Sequence, residues 1–152
     1  MFEKLVNEKL MMLQPCSKEL GYKLTQLGGN IVAISLDPLS DRFIREGTVY
    51  NQQPILNKMK EGMCHVNIWE LYKKHSDYTI HTGYVLVQNV WYRHSWLIDH
   101  EDNIVETTYP TNDVSMYFGI WVSPEEFLDL LLRMGLIHMQ YQYGLNIMFG
   151  WQ

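Results

Sequence analysis

The sequence predicts an α+β fold in which an antiparallel β-sheet packs against a helix that opens with a cysteine. Two patterns carry this. Thr79 to Thr108 contains three β-rich runs parted only by short polar turns, the mark of a meander. Helical periodicity with a start signal appears at Cys64–Lys74 and again after Ser123. No linker, repeat or low-complexity stretch interrupts the 152 residues, a length suited to one domain with its own core.

Composition narrows the partners. Net charge is −5 with no run of Lys or Arg, which disfavours a polyanion, because nucleic-acid binding draws most of its strength from neutralising phosphates. No apolar run approaches the roughly 20 residues that span a bilayer. The N-terminus mixes charge with apolar residues and shows no signal-peptide h-region. A cytoplasmic protein without nucleic-acid or membrane partners is expected. Cys16 and Cys64 make no disulfide framework. A bridge between them would be unusual in a reducing compartment, and Cys16 reads as a small buried or incidental thiol. Ten tyrosines and five tryptophans should line a cleft rim as well as the core.

Taken in order, residues 2–14 carry apolar side chains near a 3.6 period and predict a helix stopped by Pro15. Tyr22–Leu27 and Ile31–Leu36 flank Gly28-Gly29-Asn30 and predict a hairpin. Asp37 to Gly47 reads as loop with one helical turn at Asp41–Arg45. Thr48–Gln53 reads as extended and Ile55–Lys60 as a turn of helix before Gly62. Cys64 to Lys74 is a helix, with Lys73, Lys74 and His75 suiting its negative end. Thr79–Gln88, Trp91–Asp99 and Ile104–Thr108 are the meander strands, turned at Asn89-Val90 and at His100–Asn103. Tyr117–Val122 is a further strand. Ser123-Pro124-Glu125-Glu126 gives an N-cap, a first-position proline and a capping-box glutamate for a helix ending at Gly135. His138–Gly144 alternates as a last strand.

Three reactive side chains stand at three kinds of position in this frame. A thiol attacks as thiolate, and a helix start and a nearby imidazolium both lower its pKa. Cys64 meets the first condition and His94, early in a strand, offers the second. Alternation puts His94, Trp96 and Ile98 on one side and Ser95, Leu97 and Asp99 on the other. Asp99 therefore points away from His94, whereas Glu106 in the next strand can lie beside it and orient its ring. The Cys64 N–H offers one oxyanion donor. A second is open, with Gln52, Gln53 and Asn57 as weak candidates, while Asn67 is placed to brace the site.

Cys64 at a helix start, His94-Ser95-Trp96 in a strand and Glu106-x-Thr108 in the next resemble the transglutaminase-like and papain-like cysteine hydrolases. Together with Cys64-His65-x-Asn67, Gly83-Tyr84 and Tyr117-Phe118-Gly119-Ile120 they are similar to small phage and bacterial members, over about residues 62–122. The resemblance implies Cys64 as nucleophile, His94 as base and Glu106 as third member, on a papain-like or transglutaminase-like core. It departs in carrying Glu where Asp is usual. It implies a hydrolase or acyltransferase with no cofactor, acting on a peptide, protein or small acyl substrate.

Alternative readings stand beside it. His81 is a second candidate for the base, and His65 projects from another helix face as a surface or supporting residue. Trp96 shares the His94 face and is either core or a cleft wall. Cys64, His65, His81 and His94 are zinc-compatible, without the short spacings of a structural site. A small inactive interaction protein of the same fold, such as a viral inhibitor, is the non-enzymatic alternative. Substrate and oligomeric state are left open.

Overall fold

A computed structural model describes residues 15–31 and 37–135. The predicted helix over 2–14, the strand at His138–Gly144 and nearly all of Ile31–Leu36 lie outside the described residues. The fold is mixed α+β. Its helices are α1 (Pro15–Leu27), α2 (Ser40–Glu46), α3 (Cys64–Lys74) and α4 (Pro124–Arg133). Its strands are β1 (Thr48–Tyr50), β2 (Pro54–Leu56), β3 (Thr79–Val87), β4 (Val90–Ile98), β5 (Ile104–Glu106) and β6 (Val114–Val122). They form one sheet in the order β1-β6-β3-β4-β5-β2, antiparallel except for the parallel pair β2–β5.

The β3–β4 hairpin is the spine. Nine residues pair with nine, and the two-residue turn is Gln88-Asn89, both at positive φ (48° and 70°). That is one residue earlier than the predicted Asn89-Val90. Positive φ at both central residues matches the right-handed strand twist. The next turn is held by Asp99, whose Oδ1 accepts from the backbone N–H groups of Glu101 and Asn103. Asp99 is thus a turn residue and takes no part beside His94.

Alternation divides the sheet into two buried faces. Ile80, Tyr84, Leu86, Leu97, Phe118 and Ile120 pack with Leu20, Leu24, Phe43, Ile68, Phe127 and Leu131 from the helices. Val85, Val87, Trp96, Ile98, Ile104 and Tyr117 form a second cluster on the opposite face. The α4 cap forms as expected: Ser123 Oγ accepts from the Glu126 N–H at 3.1 Å and Glu126 Oε1 accepts from the Ser123 N–H at 3.0 Å.

Two predicted elements are corrected. The Tyr22–Leu27 strand is the second half of α1: this helix begins at Pro15, and Leu20, Leu24 and Leu27 bury a stripe at helical spacing. Gly28 and Gly29, at φ 142° and 65°, end the helix instead of turning a hairpin. Asn30 then bridges Val90 in parallel. The helical turn predicted at Ile55–Lys60 is instead β2 followed by extended chain. Ile55 and Leu56 are exposed there, and the pairing with β5 is long-range, so neither local pattern nor burial announces it.

Gly83 and Gly119 face each other across β3 and β6. A Cβ on Gly83 would run into the Phe118 carbonyl and one on Gly119 into the Thr82 carbonyl. Backbone cannot swing aside as a side chain can. Gly83→Ala should therefore lower stability by about 1–3 kcal/mol, the usual range for overpacking, seen as a lower urea midpoint with unchanged m-value. An unmoved midpoint would mean the strands do not approach this closely.

Candidate active site

Topology places the thiol. Beyond Leu56 the chain keeps running beside the segment that follows β5: the Asn57 N–H donates to the Glu106 carbonyl at 2.7 Å and the Met59 N–H to the Thr107 carbonyl at 2.8 Å. Lys58 Nζ donates to the Thr108 carbonyl at 2.9 Å. Gly62, at φ 73°, then turns the chain into α3. Asn67 ties the turn down, donating from Nδ2 to the Lys60 carbonyl at 2.8 Å, which is the bracing role expected of it. Met63 at the N-cap supplies no side-chain cap. The first-turn N–H groups and the positive helix end are thus left to the Cys64 surroundings. Cys64 is partly exposed and its thiol is free.

On the sheet side, β4 and β5 pair only at Leu97–Val105 and Ile98–Ile104. His94 lies past the point where they part, fully buried. Its Nε2 donates to Glu106 Oε1 at 2.9 Å, with Oε2 at 3.2 Å. A carboxylate only accepts, so a proton sits on Nε2 and Nδ1 is the nitrogen that Glu106 leaves over. Nδ1 is buried with no hydrogen-bond partner among the described residues, and Cys64 is close enough to act on the ring.

Glu106 is equally buried. Its Oε2 accepts from the Thr108 N–H (2.9 Å), Thr108 Oγ1 (3.1 Å) and the Tyr109 N–H (3.0 Å). Its Oε1 accepts from the Tyr117 hydroxyl at 2.7 Å. The methylene that Glu has beyond Asp lets the carboxylate fold back onto its own following turn and still reach His94.

Electrostatics follow from these partners. Burial pushes the Cys64 thiol up, but hydrogen bonding and charge from His65 and His94 outweigh it and bring the thiol down to about 5. Burial pushes His94 down, and Cys64 and Glu106 outweigh it, raising the imidazole to about 9. Burial likewise raises Glu106, and His94 with the backbone N–H groups of Thr108 and Tyr109 lowers it to about 2. Each group is charged in spite of its burial.

The thiol opens onto a cleft of about 470 Å³ lined by Glu61, Gly62, Cys64, His65, Arg93, Thr108, Tyr109 and Pro110, within the usual range for a ligand site. Tyr109 is one of the expected rim aromatics. Its ring lies 5.2 Å from that of His94, and burial together with Cys64 and Glu106 raises its hydroxyl to about 12. None of Gln52, Gln53 and Asn57 lines the cleft, and Gln52 reaches toward Asp102 instead.

The structure decides between the readings left open for the supporting residues. His65 is the supporting residue and not the surface one: it is 9% exposed, and its Nδ1 lies 2.7 Å from Ser95 Oγ. His81 is not an alternative base. Tyr50 Oη and Thr79 Oγ1 each lie 2.8 Å from one of its nitrogens, and burial takes it down to about 4. Trp96 is core, with 0% exposure, its ring between those of His81 (6.3 Å) and His94 (6.2 Å). The zinc alternative needs four ligands to converge, yet His81 is held apart from Cys64. Among the described residues no group of three His, Cys, Asp or Glu side chains is arranged to hold a metal ion. Sequence reasoning missed Tyr109, Tyr117 and Arg93 as members of the site. Only the Glu106-x-Thr108 spacing hinted that the chain after β5 would wrap the carboxylate.

Removing the phenol that donates to Glu106 should be felt throughout this network. Tyr117→Phe is expected to cost about 1.5–3 kcal/mol, the range for a hydrogen bond to a charged group. The exposed Tyr92→Phe control should stay within about 0.5 kcal/mol. Equal urea midpoints for the two variants would show that the hydroxyl adds nothing to the carboxylate. No family model, curated protein or solved structure matches the chain.

Proposed function

We propose that this protein is a cysteine hydrolase or acyltransferase with a Cys64-His94-Glu106 triad on a papain-like or transglutaminase-like core. The single observation that carries the reading is the His94 ring. Its Nε2 is fixed by a buried carboxylate, and its Nδ1 is left to a thiol at an uncapped helix start in a cleft. A thiol at a helix start, a histidine that acts on it and a carboxylate that orients that histidine support covalent catalysis.

The Cys64 sulfur lone pair attacks the carbonyl carbon of an amide, isopeptide or thioester, and the C=O π pair moves to oxygen. The Cys64 N–H meets that oxyanion. The intermediate collapses, re-forming C=O and breaking the bond to the leaving group. The departing atom takes the bonding pair and the proton from His94 Nδ1. Water or an amine then gives its proton to His94 and attacks the acyl-enzyme, releasing Cys64. Glu106 stays ionised and holds the imidazolium throughout. The partner is a peptide, protein or small acyl substrate, and the chain's own residues supply every step without a cofactor.

The pH dependence has a definite sign. Cys64 is thiolate above about 5 and His94 imidazolium below about 9, so the ion pair exists between those limits, as macroscopic values of the coupled pair. In a Cys16→Ser background, alkylation by iodoacetamide should be half-maximal near pH 5, against about 8.5 for an ordinary thiol. His94→Ala should raise that midpoint by at least about one pH unit. A parent midpoint near 8.5, unmoved by His94→Ala, would overturn the enzyme reading in favour of an inactive interaction protein.

A further inference from the structure

The second imidazole at the thiol has no task in the scheme above, and the hydrogen bonds behind it give it one. Arginine can only donate. Arg93 Nη1 donates to Thr82 Oγ1, and also to the carbonyls of Gly83 (3.1 Å) and His94 (3.2 Å). Thr82 therefore accepts from Arg93, and its own proton has two destinations: Ser95 Oγ at 2.7 Å or the His94 carbonyl at 3.4 Å. Giving it to Ser95, the nearer acceptor, sets the direction of the chain; the reverse direction would put the ring proton on His65 Nδ1. Ser95, accepting from Thr82, passes its proton to His65 Nδ1 at 2.7 Å. A nitrogen that accepts carries no proton, so the neutral ring holds its proton on Nε2.

The origin of this chain is rigid. Arg93 Nε pairs with Asp37 Oδ2 at 2.7 Å, and the guanidinium lies 5.0 Å over the Phe43 ring and 5.8 Å over that of Tyr84. Thr82 and Ser95 are 0% and 1% exposed, so water does not compete for their bonds. At its other end the ring lines the cleft beside Cys64, where its hydrogen bond acts on the thiol.

We propose that His65 Nε2–H is the second oxyanion donor of the site, joining the Cys64 backbone N–H at the carbonyl oxygen of a bound acyl group. This rests on the cysteine-nucleophile reading. His94 moves protons and His65 does not: its proton stays on Nε2 while the negative charge forms on the oxygen and disperses. Ser95, Thr82 and Arg93 are positioning residues that fix the tautomer. A donor held this way costs no reorganisation when the charge develops.

Two measurements test this. In ¹⁵N NMR of the histidine-labelled parent, His65 Nδ1 should appear unprotonated and Nε2 protonated, a preference weakened in Ser95→Ala. A proton on Nδ1 in the parent overturns the proposal. The kinetic test compares two reactions of Cys64 in the Cys16→Ser background. Acylation by p-nitrophenyl acetate, giving acetyl-Cys64 and p-nitrophenolate, passes through an oxyanion. Alkylation by iodoacetamide, displacing iodide, does not. Each rate is taken at its pH plateau, so that loss of thiolate cancels. The acylation-to-alkylation ratio should fall about 10²-fold in His65→Ala, the usual cost of one oxyanion donor. Partial recovery is expected in His65→Gln. An unchanged ratio overturns the second donor and leaves the nucleophile standing. A parent whose thiol titrates normally and is not acylated fails one step earlier, at the triad itself.

Discussion

The buried carboxylate of Glu106 is the constraint on which the site's geometry depends. Taking a carboxylate out of water costs several kcal/mol even after relaxation. It stays ionised because donors surround it: His94 Nε2, the N–H groups of Thr108 and Tyr109, and the hydroxyls of Thr108 and Tyr117. Hydrogen bonds to a charged group contribute roughly 1.5–3 kcal/mol each, enough together to offset that burial. The donors come from β4, from the turn after β5 and from β6. One carboxylate thus sets the distance between three parts of the sheet and aims the histidine.

The thiol is brought to this carboxylate's histidine by a gap. β4 and β5 separate after two residue pairs, and the chain from β2 to Gly62 fills the space beside β5 and delivers α3 to the opening. Cys64 accordingly feels a histidine from each side of the sheet: His94 on the face of Trp96 and Glu106, and His65 through Ser95 on the helix-bearing face. The alternation of β4 is what separates them. His94 and Ser95 are consecutive, so they must serve opposite faces, and only a residue at the strand's unpaired edge can meet groups from both.

Much of this was legible in the residues, and the parts that were not share a cause. The bounds of α3, the capping box of α4, the β3–β4 hairpin and the Glu106–His94 pairing all follow from local periodicity, turn chemistry or alternation. Tyr22–Leu27 was misread because its aromatic and β-branched residues outweighed a helical stripe of only three leucines, Leu20, Leu24 and Leu27. The β2 edge was misread because three residues, two of them exposed, carry no pattern, and their pairing with β5 is decided some 50 positions away. His65 was left between surface and support because helix spacing says only which way a side chain leaves its own helix. It does not say that a sheet with a serine waits there. Arg93, Thr82 and Ser95 look in sequence like ordinary strand residues, and their joint meaning arises only from the register that sets Thr82 across from Ser95.

The members of the proposed triad differ in what the fold asks of them. Without the Cys64 thiol, His94 still faces Glu106, and a complete ion pair remains with one ring nitrogen bereft of a partner. Without Glu106, five donor groups lose their acceptor at once and His94 loses the charge that holds its proton. Removing one member of a buried pair typically costs 3–5 kcal/mol, a large share of the 5–15 kcal/mol that separates folded from unfolded protein. The thiol is therefore the part the fold can spare, and the carboxylate is the part it is built on. The proposed chemistry would rest on the site's most structural residue, so that the reactivity expected at Cys64 depends on the packing of β4, β5 and β6 as directly as on His94.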